Sequence, residues 1–308
     1  MLPGDVAGLI AARCPGWVAE TVEPLGEGDF STAYLVNGEW VFRFAKHEEA
    51  AASLSREACL LPRLADRFEL RIPSPRVVSV DERPAFVAHP ILPSPELMPE
   101  RYLALAEPER ERCAGQLARF LAQLHASDTS DARACGVETR DYRARYQGVL
   151  ERARRHLFTR MSAAYRTFVE QEFAAYLSFD APSAFQPALL HGDLSPGHVL
   201  YDPAAGCLTG VIDFGDLMIG DPAWDLVFIY EDYGLDFLSR LLPHYTSDDP
   251  RPLLRRMYSF YVLDLIEWVV RCAEEGSPEL GHAVAELSRV HANRRRDFDE
   301  LMAACGAA

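Results

Sequence analysis

The rhythm of hydrophobic and polar positions changes along the chain. From Phe30 to Val36 and from Trp40 to Ala45, aromatic and branched residues crowd two short runs, with Asn37-Gly38 between them. That dipeptide is the strongest short hairpin signal, because both residues accept positive φ. A helical stretch is expected from about Ala50 to Arg67, carrying Glu57. Pro73, Pro75, Pro84, Pro90, Pro93 and Pro95 then punctuate apolar runs such as Arg76-Val77-Val78-Ser79-Val80 and Ala85-Phe86-Val87-Ala88. Those runs read as short strands with rigid connections. A hinge is expected near His89 to Glu96.

After the hinge the pattern is helical. Leu117, Phe120, Leu121 and Leu124 fall at i, i+3, i+4 and i+7, one buried face of a helix that His125 closes. Residues Tyr142 to Leu177 read as helical and mixed in charge. Leu254, Met257, Tyr258, Tyr261, Val262, Leu265, Ile266 and Val269 repeat at helical spacing and are expected in the core. A polar helix is expected from about Glu279, and its Arg294-Arg295-Arg296 reads as a solvated face. Val199 to Tyr201 and Leu208 to Ile212 read as two strands around a Pro-Ala-Ala-Gly turn.

Composition narrows the class. The chain has 308 residues, 49% hydrophobic and 25% charged, which suits a folded globular protein and excludes disorder as the main state. The length suggests two domains or one bilobal unit. The net charge of −15 argues against nucleic acid or an anionic membrane as a partner and suits either a small cationic one or solubility alone. The first residues lack a basic segment followed by an apolar run, and no stretch approaches ~18 uncharged apolar residues, so a cytoplasmic protein is expected; it is also expected to be a monomer. The seven cysteines include no CxxC pair and read as reduced, mostly structural thiols, not as a disulfide framework or a zinc site.

The chemistry concentrates between Leu189 and Asp236. From Asp193 through Ser239 there are nine acidic residues and no Lys or Arg. Such a cluster is costly unless cations or hydrogen bonds compensate it. Asp193 and Asp213 flank the Val199–Ile212 hairpin and could meet at one cleft. Hard divalent cations such as Mg²⁺ want carboxylate oxygens and leave room for phosphate oxygens. A carboxylate beside the metal can orient a hydroxyl nucleophile. The residues by themselves thus suggest a metal-assisted phosphate site, or else a set of Asp turns and caps. Asp221, before Pro222, fits the structural role best.

The set His191-Gly192-Asp193…His198 with Ile212-Asp213-Phe214-Gly215-Asp216 resembles the aminoglycoside phosphotransferase family, a branch of the protein-kinase-like fold. Leu25-Gly26-Glu27-Gly28-Asp29-Phe30-Ser31 resembles its nucleotide loop, and Val41-Phe42-Arg43-Phe44-Ala45-Lys46 with Glu57 resembles its third strand and following helix. Gly220-Asp221-Pro222, His198 and Tyr230-Glu231-Asp232-Tyr233-Gly234 look closest to the 2''-phosphotransferase subgroup. The resemblance implies an α+β bilobal fold: a nucleotide-binding lobe at 1–88, the hinge at 89–96 and a helical lobe at 97–308 holding the catalytic and acceptor sites.

It also implies Mg²⁺-dependent transfer of a phosphoryl group from ATP or GTP to an aminoglycoside hydroxyl, giving antibiotic resistance. Asp193 would orient that hydroxyl, while His198 and Asp213 hold the metal. Gly28, Ser31, Arg43, Glu57, Ala88 and Ile91 would serve the nucleotide. Two departures stand out: His198 replaces the family's common Asn, and Arg43 stands where Lys is usual. Lys46 is the other candidate for the phosphates, but alternation points it to the opposite strand face. Asp216, Glu231, Asp232, Glu267 and Trp268 are the candidates for the acceptor. Glu231 and Asp232 could instead cap a helix near Leu235, and Trp268 could be core. A kinase for a macrolide, homoserine, choline-like or hydroxylysine-like acceptor is the alternative, and a nucleotide-binding pseudokinase the second.

Overall fold

The computed structural model describes residues 2–159, 161–178, 185–246 and 248–306. Met1, at the start of the expected first lobe, Arg160, inside the expected helical stretch, and residues 307–308, at the end of the expected second lobe, lie outside them. The chain forms two compact units: residues 1–138 with 191–218, and residues 139–190 with 219–308. This division by compactness is of a different kind from the lobe and hinge boundaries expected above.

The first unit is built on a five-stranded antiparallel sheet in the order β1-β2-β3-β5-β4. Its strands are β1 (Val22–Glu27), β2 (Ser31–Val36), β3 (Trp40–Ala45), β4 (Val77–Ser79) and β5 (Phe86–Pro90). The expected hairpin is β2–β3, in the register Val36↔Trp40 and Leu35↔Val41. Asn37 and Gly38 both take positive φ, 54° and 67°. The Asn37 side chain also accepts from the amides of Glu20 and Thr21, tying the turn to the segment before β1.

Cross-strand partners share a face, so register sorts the side chains. Tyr34, Phe42 and Ala88 align on one face, as do Phe44 and Phe86. They form an aromatic core with Val6, Ile10 and Cys14. Val6 and Ile10 come from α1 (Pro3–Arg13), a helix the sequence pattern did not reveal. Ala33, Arg43 and Val87, and Leu35, Val41 and His89, align on the opposite face.

The helix expected over Ala50–Arg67 is α2 (Glu48–Leu64), ending in a short 3₁₀ turn at Ala65–Arg67. After α3 (Pro99–Ala104) comes α4 (Glu107–His125), on which Leu117, Phe120, Leu121 and Leu124 are all fully buried. The short α5 (Thr129–Ala134) follows. One expectation fails here. Cys59 on α2 and Cys135 after α5 form a disulfide, with Cα atoms 5.5 Å apart. Cysteine spacing carries no record of this, because the tertiary fold brings together residues 76 positions apart. Cys14, Cys113, Cys207, Cys272 and Cys305 are free, as expected.

The second unit is mainly helical. The stretch expected over 142–177 is two helices, α6 (Tyr142–His156) and α7 (Ala163–Leu177). The chain then runs through β6 (Ala188–Leu190) to the hairpin of β7 (Val199–Asp202) and β8 (Cys207–Val211), which belongs to the first unit. The boundary between the units passes through β9 (Met218–Gly220). Next come α8 (Ala223–Phe228), one π-helical turn at Ile229–Tyr233, α9 (Gly234–Tyr245), α10 (Arg251–Glu275) and α11 (Leu280–Ala304). Helix α10 buries the residues expected from their helical spacing, Leu254, Met257, Tyr258, Tyr261, Val262, Leu265, Ile266 and Val269, together with Phe260, Leu263, Val270 and Cys272. It contacts α6, α7, α8 and α11. Among the described residues no helix is long and apolar enough to cross a membrane.

Asp221 is a structural residue of this unit. It is 1% exposed, one carboxylate oxygen accepts from the Ala223 amide at 3.0 Å, and the other meets Arg256 Nε at 2.7 Å. Removing one member of such a buried pair takes from the other charge its closest counter-ion. Arg256→Met is therefore expected to cost about 3–5 kcal/mol, read as an earlier urea transition. A midpoint within error of the parent would refute this account of the pair.

His89 gives a second stability prediction. Burial pushes its imidazole down to about 4, only partly offset by its hydrogen bond to the Pro90 carbonyl. An unfolded His titrates near ~6.5. Between these values the unfolded chain binds the extra proton, so stability present above pH ~6.5 is lost as pH falls towards 4. The loss reaches roughly 3 kcal/mol for this one group. In His89→Phe, urea titrations from pH 7 to 4 should show a shallower loss, and an unchanged slope would contradict the assignment.

Candidate active site

The site of the first unit begins with two backbone constraints. Gly192 has φ +89°, and a Cβ there would lie 2.1 Å from the Asp216 carbonyl oxygen. Only glycine fits, so the segment carrying Asp193 runs hard against the segment carrying Asp213 and Asp216. Asp213 itself sits in the left-handed region at φ 60°. Non-glycine residues rarely hold that conformation without a compensating role.

Two histidines lock these segments. His191 is fully buried, and its Nε2 lies 3.0 Å from the Ile212 carbonyl. A carbonyl only accepts, so Nε2 carries the proton and Nδ1 accepts from the Asp193 amide at 3.3 Å. His198 is held in the other tautomer. Its Nδ1 donates to the Asp193 carbonyl at 2.8 Å and lies 3.1 Å from Ser195 Oγ. Its Nε2 lone pair is then free for a cation, 3.5 Å from Asp213 Oδ2. The Ile212 amide donates to the His198 carbonyl at 2.9 Å, closing the hairpin base. Asp193 and Asp213 thus do flank one hairpin and meet at one place, with His198 between them.

Arg43 reaches the same place from the sheet. Its Nη1 meets Glu57 Oε2 at 2.6 Å and its Nη2 meets Asp213 Oδ1 at 3.0 Å. Burial works against the Asp213 carboxylate, but the Arg43 guanidinium holds it below the ordinary carboxylate range. Burial pushes Glu57 up, against the pull of Arg43. Lys46 is elsewhere, paired with Glu27 at 2.7 Å near the sheet edge. From α2, Ser53 Oγ donates to the Gly215 carbonyl at 2.6 Å.

Two adjoining cavities open on these groups. One, of about 260 Å³, is lined by Gly28, Ser31, Arg43, Glu57, Asp193, His198, Asp213 and Asp216, among others. The other, of about 680 Å³, is lined by Gly28, Ser31, Arg43, His89, Ile91, His198 and Asp213, among others. Gly28 closes its own loop, its amide donating to the Ser31 carbonyl at 3.0 Å. Ala88 lies apart. Its side chain belongs to the aromatic core on the other sheet face, and its carbonyl accepts from the Arg76 amide at 2.8 Å. The next residue, His89, lines the larger cavity instead. The sequence reading placed His89 at the start of the hinge but did not name its side chain as a site candidate.

The remaining candidates belong to the second unit. Glu267 meets Arg145 at 2.7 Å and Arg152 at 3.6 Å, so two cations already compensate it. Trp268 stands edge-on to His282, ring centroids 5.6 Å apart. Glu231 and Asp232 lie in the π-helical turn. Desolvation, with the neighbouring carboxylates of Asp232, Asp264 and Glu286, pushes Glu231 up to about 7.

The donor set defines what the first unit can hold. Among the described residues there is no group of three or more His, Cys, Asp or Glu able to hold a metal ion. His198 Nε2 and Asp213 Oδ2 offer two donors, leaving most of a coordination shell to outside oxygens. A small hard cation shared with phosphate takes that pattern, although imidazole is softer than the oxygens Mg²⁺ prefers.

Comparison with known proteins identifies the family and the fold. The Phosphotransferase enzyme family (APH) matches residues 21–260. A viomycin phosphotransferase of Streptomyces vinaceus is 32% identical over 252 residues, covering 79% of each chain. Among solved structures, a GDP and kanamycin complex of APH(2'')-IIia superposes with a TM-score of 0.85 at 28% identity, covering 94% of this chain and 99% of that one. The GDP complex of wild-type aminoglycoside 2'-phosphotransferase-IIIa gives a TM-score of 0.86 at 27% identity, covering 96% and 100%. The fold is accordingly kinase-like and α+β, with an amino-terminal β-sheet and a mainly helical carboxy-terminal part. A family match across most of the chain, on a site with this arrangement of Asp193, His198 and Asp213, means that the chain is an enzyme of the APH phosphotransferase family.

Proposed function

We propose that the chain transfers the terminal phosphoryl group of ATP or GTP to a hydroxyl of an aminoglycoside antibiotic, conferring resistance. The observation that carries the reading is the convergence of Asp193, His198, Asp213, Arg43 and Glu57 on adjoining cavities under the Gly28–Ser31 loop. In functional terms residues 1–88 are the nucleotide lobe, 89–96 the hinge and 97–308 the lobe serving catalysis and acceptor. The enzyme works as a cytoplasmic monomer, with neither nucleic acid nor membrane as partner.

Asp193 accepts a hydrogen bond from the acceptor hydroxyl and aims its oxygen at the terminal phosphorus. The two locked backbones, at Gly192 and Asp213, keep that carboxylate placed for in-line attack. His198 and Asp213 would hold Mg²⁺, which would supply positive charge beside the nucleotide's phosphate oxygens. Arg43, steadied by Glu57, adds a second cation beside them. The Gly28–Ser31 loop covers the phosphates. His89 and Ile91 flank the base, with the backbone around Ala88 as the strand behind it. On the acceptor side, Asp216 lines the smaller cavity with Asp193. Glu231, Asp232, Glu267 and Trp268 are the candidates for binding the acceptor's ammonium groups and sugar faces.

A second acceptor class is specifically favoured by the 32% identity to a viomycin phosphotransferase. The deciding experiment is a coupled nucleoside-diphosphate release assay, with ATP and GTP separately. The panel is kanamycin, gentamicin, viomycin, a macrolide, homoserine and choline. Turnover with kanamycin or gentamicin alone supports the proposal, and turnover confined to another acceptor replaces it with that acceptor. Mg-nucleotide binding without turnover of any acceptor points to the pseudokinase.

Asp193→Asn should lower kcat by about 10²–10⁴-fold while nucleotide affinity stays nearly intact. Surviving turnover would remove Asp193 from the hydroxyl-orienting role. Asp213→Asn should weaken Mg²⁺-dependent nucleotide binding by at least about tenfold, measured by calorimetry across a Mg²⁺ titration. A superimposable titration would take Asp213 out of the metal site.

A further inference from the structure

We infer that the Cys59–Cys135 disulfide is a positioning element of the nucleotide site, a reducible clamp on the helix that carries Glu57. The inference rests on the nucleotide reading of that site. Cys59 lies two residues beyond Glu57 on α2. The buried face of α2 sends Glu57 to Arg43 and Ser53 to the Gly215 carbonyl, so its placement sets two contacts of the Arg43–Asp213 group. Glu57 Oε1 is buried without a hydrogen-bond partner among the described residues. No second bond therefore anchors that carboxylate, and the helix itself decides where it stands.

On its other side, α2 is fastened to the end of α5. Cys135 caps α5, its amide donating to the Asp131 and Ala132 carbonyls. Ion pairs also link the helices, from Arg63 and Arg67 to Asp131, but at 3.7 and 3.8 Å on exposed side chains. Such pairs contribute little in water. The covalent bond is the stiff tie, and half-buried Cys59 leaves it open to a small thiol.

A dithiol reductant opens the tie by exchange. Its thiolate attacks one sulfur, giving a mixed disulfide and one Cys thiolate. Its second thiol then displaces the other cysteine and closes the reductant's own disulfide. Two electrons and two protons end on Cys59 and Cys135 as thiols. α2 is then held by packing, by its Glu57 and Ser53 contacts and by the weak ion pairs, without a covalent tie, and the Glu57–Arg43 alignment loosens.

The test compares the full chain before and after reduction by dithiothreitol, well below its unfolding temperature. Thiol titration in denaturant should count five thiols before and seven after. Amide hydrogen exchange along residues 48–64 should quicken on reduction, without any nucleotide present. By calorimetry and kinetics, nucleotide Kd and KM should rise at least about five-fold, while acceptor KM stays unchanged. The double variant Cys59→Ser/Cys135→Ser should match the reduced protein and ignore reductant, and re-oxidation should restore the parent alone. A general structural role would lower Tm without splitting nucleotide from acceptor KM. Seven thiols before reduction, or unchanged exchange and nucleotide affinity after it, would overturn the inference while leaving the site reading intact. An oxidised protein that binds no nucleotide would sink the site reading, and this inference with it.

Discussion

The two-armed ion pair of Arg43 is the interaction on which the first unit's chemistry depends. One arm holds Glu57 and the other Asp213, so a single planar cation joins the sheet, α2 and the segment after β8. A lysine ammonium carries the same charge at a point and cannot present two fixed donors in one plane. The choice of arginine is therefore linked to the geometry around it. Glu57 is almost wholly buried, and its burial is tolerable only because the guanidinium is beside it. Asp213 is more open, and on the proposed reading it is the arm that Mg²⁺ would share.

The ion pair needs a backbone that delivers Asp213 to it, and that backbone is costly. Asp213 stands at positive φ, and Gly192 is threaded against the Asp216 carbonyl where no side chain fits. Both are held by histidines in opposite tautomers, each with one ring nitrogen fixed on a backbone carbonyl. His191 uses its second nitrogen inward, for the Asp193 amide. His198 turns its second nitrogen outward, towards Asp213. One residue type thus serves as lock and as donor, according to which nitrogen the main chain has taken. Substituting either ring would disturb the backbone before it disturbed the chemistry.

Much of this was legible in the sequence, because it rests on local rules. The β2–β3 hairpin follows from Asn-Gly, the buried face of α4 from its i, i+3, i+4, i+7 leucines and phenylalanine, and the Asp193–Asp213 pairing from two acids flanking a hairpin. What escaped depends on non-local placement. Helix α1 is short and earns its helicity by covering the aromatic sheet face, which only the register reveals. The break between α6 and α7 carries neither Gly nor Pro to mark it in the sequence. Ala88 and His89 are neighbours, but the pleat sends one side chain to the core and the other to the cavity. The Cys59–Cys135 bond joins segments that no spacing rule connects.

The same limit applies to charge. The sequence shows nine acids without a cation between Asp193 and Ser239, which suggests a strong uniform field for a cationic acceptor. Folding spends that field unevenly. Asp213 is taken by Arg43, Asp221 by Arg256 and Asp236 by Arg240, all arginines from outside the acidic stretch or at its edge. Glu267, on α10, is likewise taken by Arg145. Glu231, pushed up to about 7, carries only part of a charge at neutral pH. Attraction for an ammonium group therefore scales with the carboxylates that folding leaves uncompensated, not with the count along the chain. On the proposed reading, acceptor choice would turn on shape and on hydrogen-bond placement around Asp193 more than on net charge, because a field diluted in this way draws cations in without telling one amine from another.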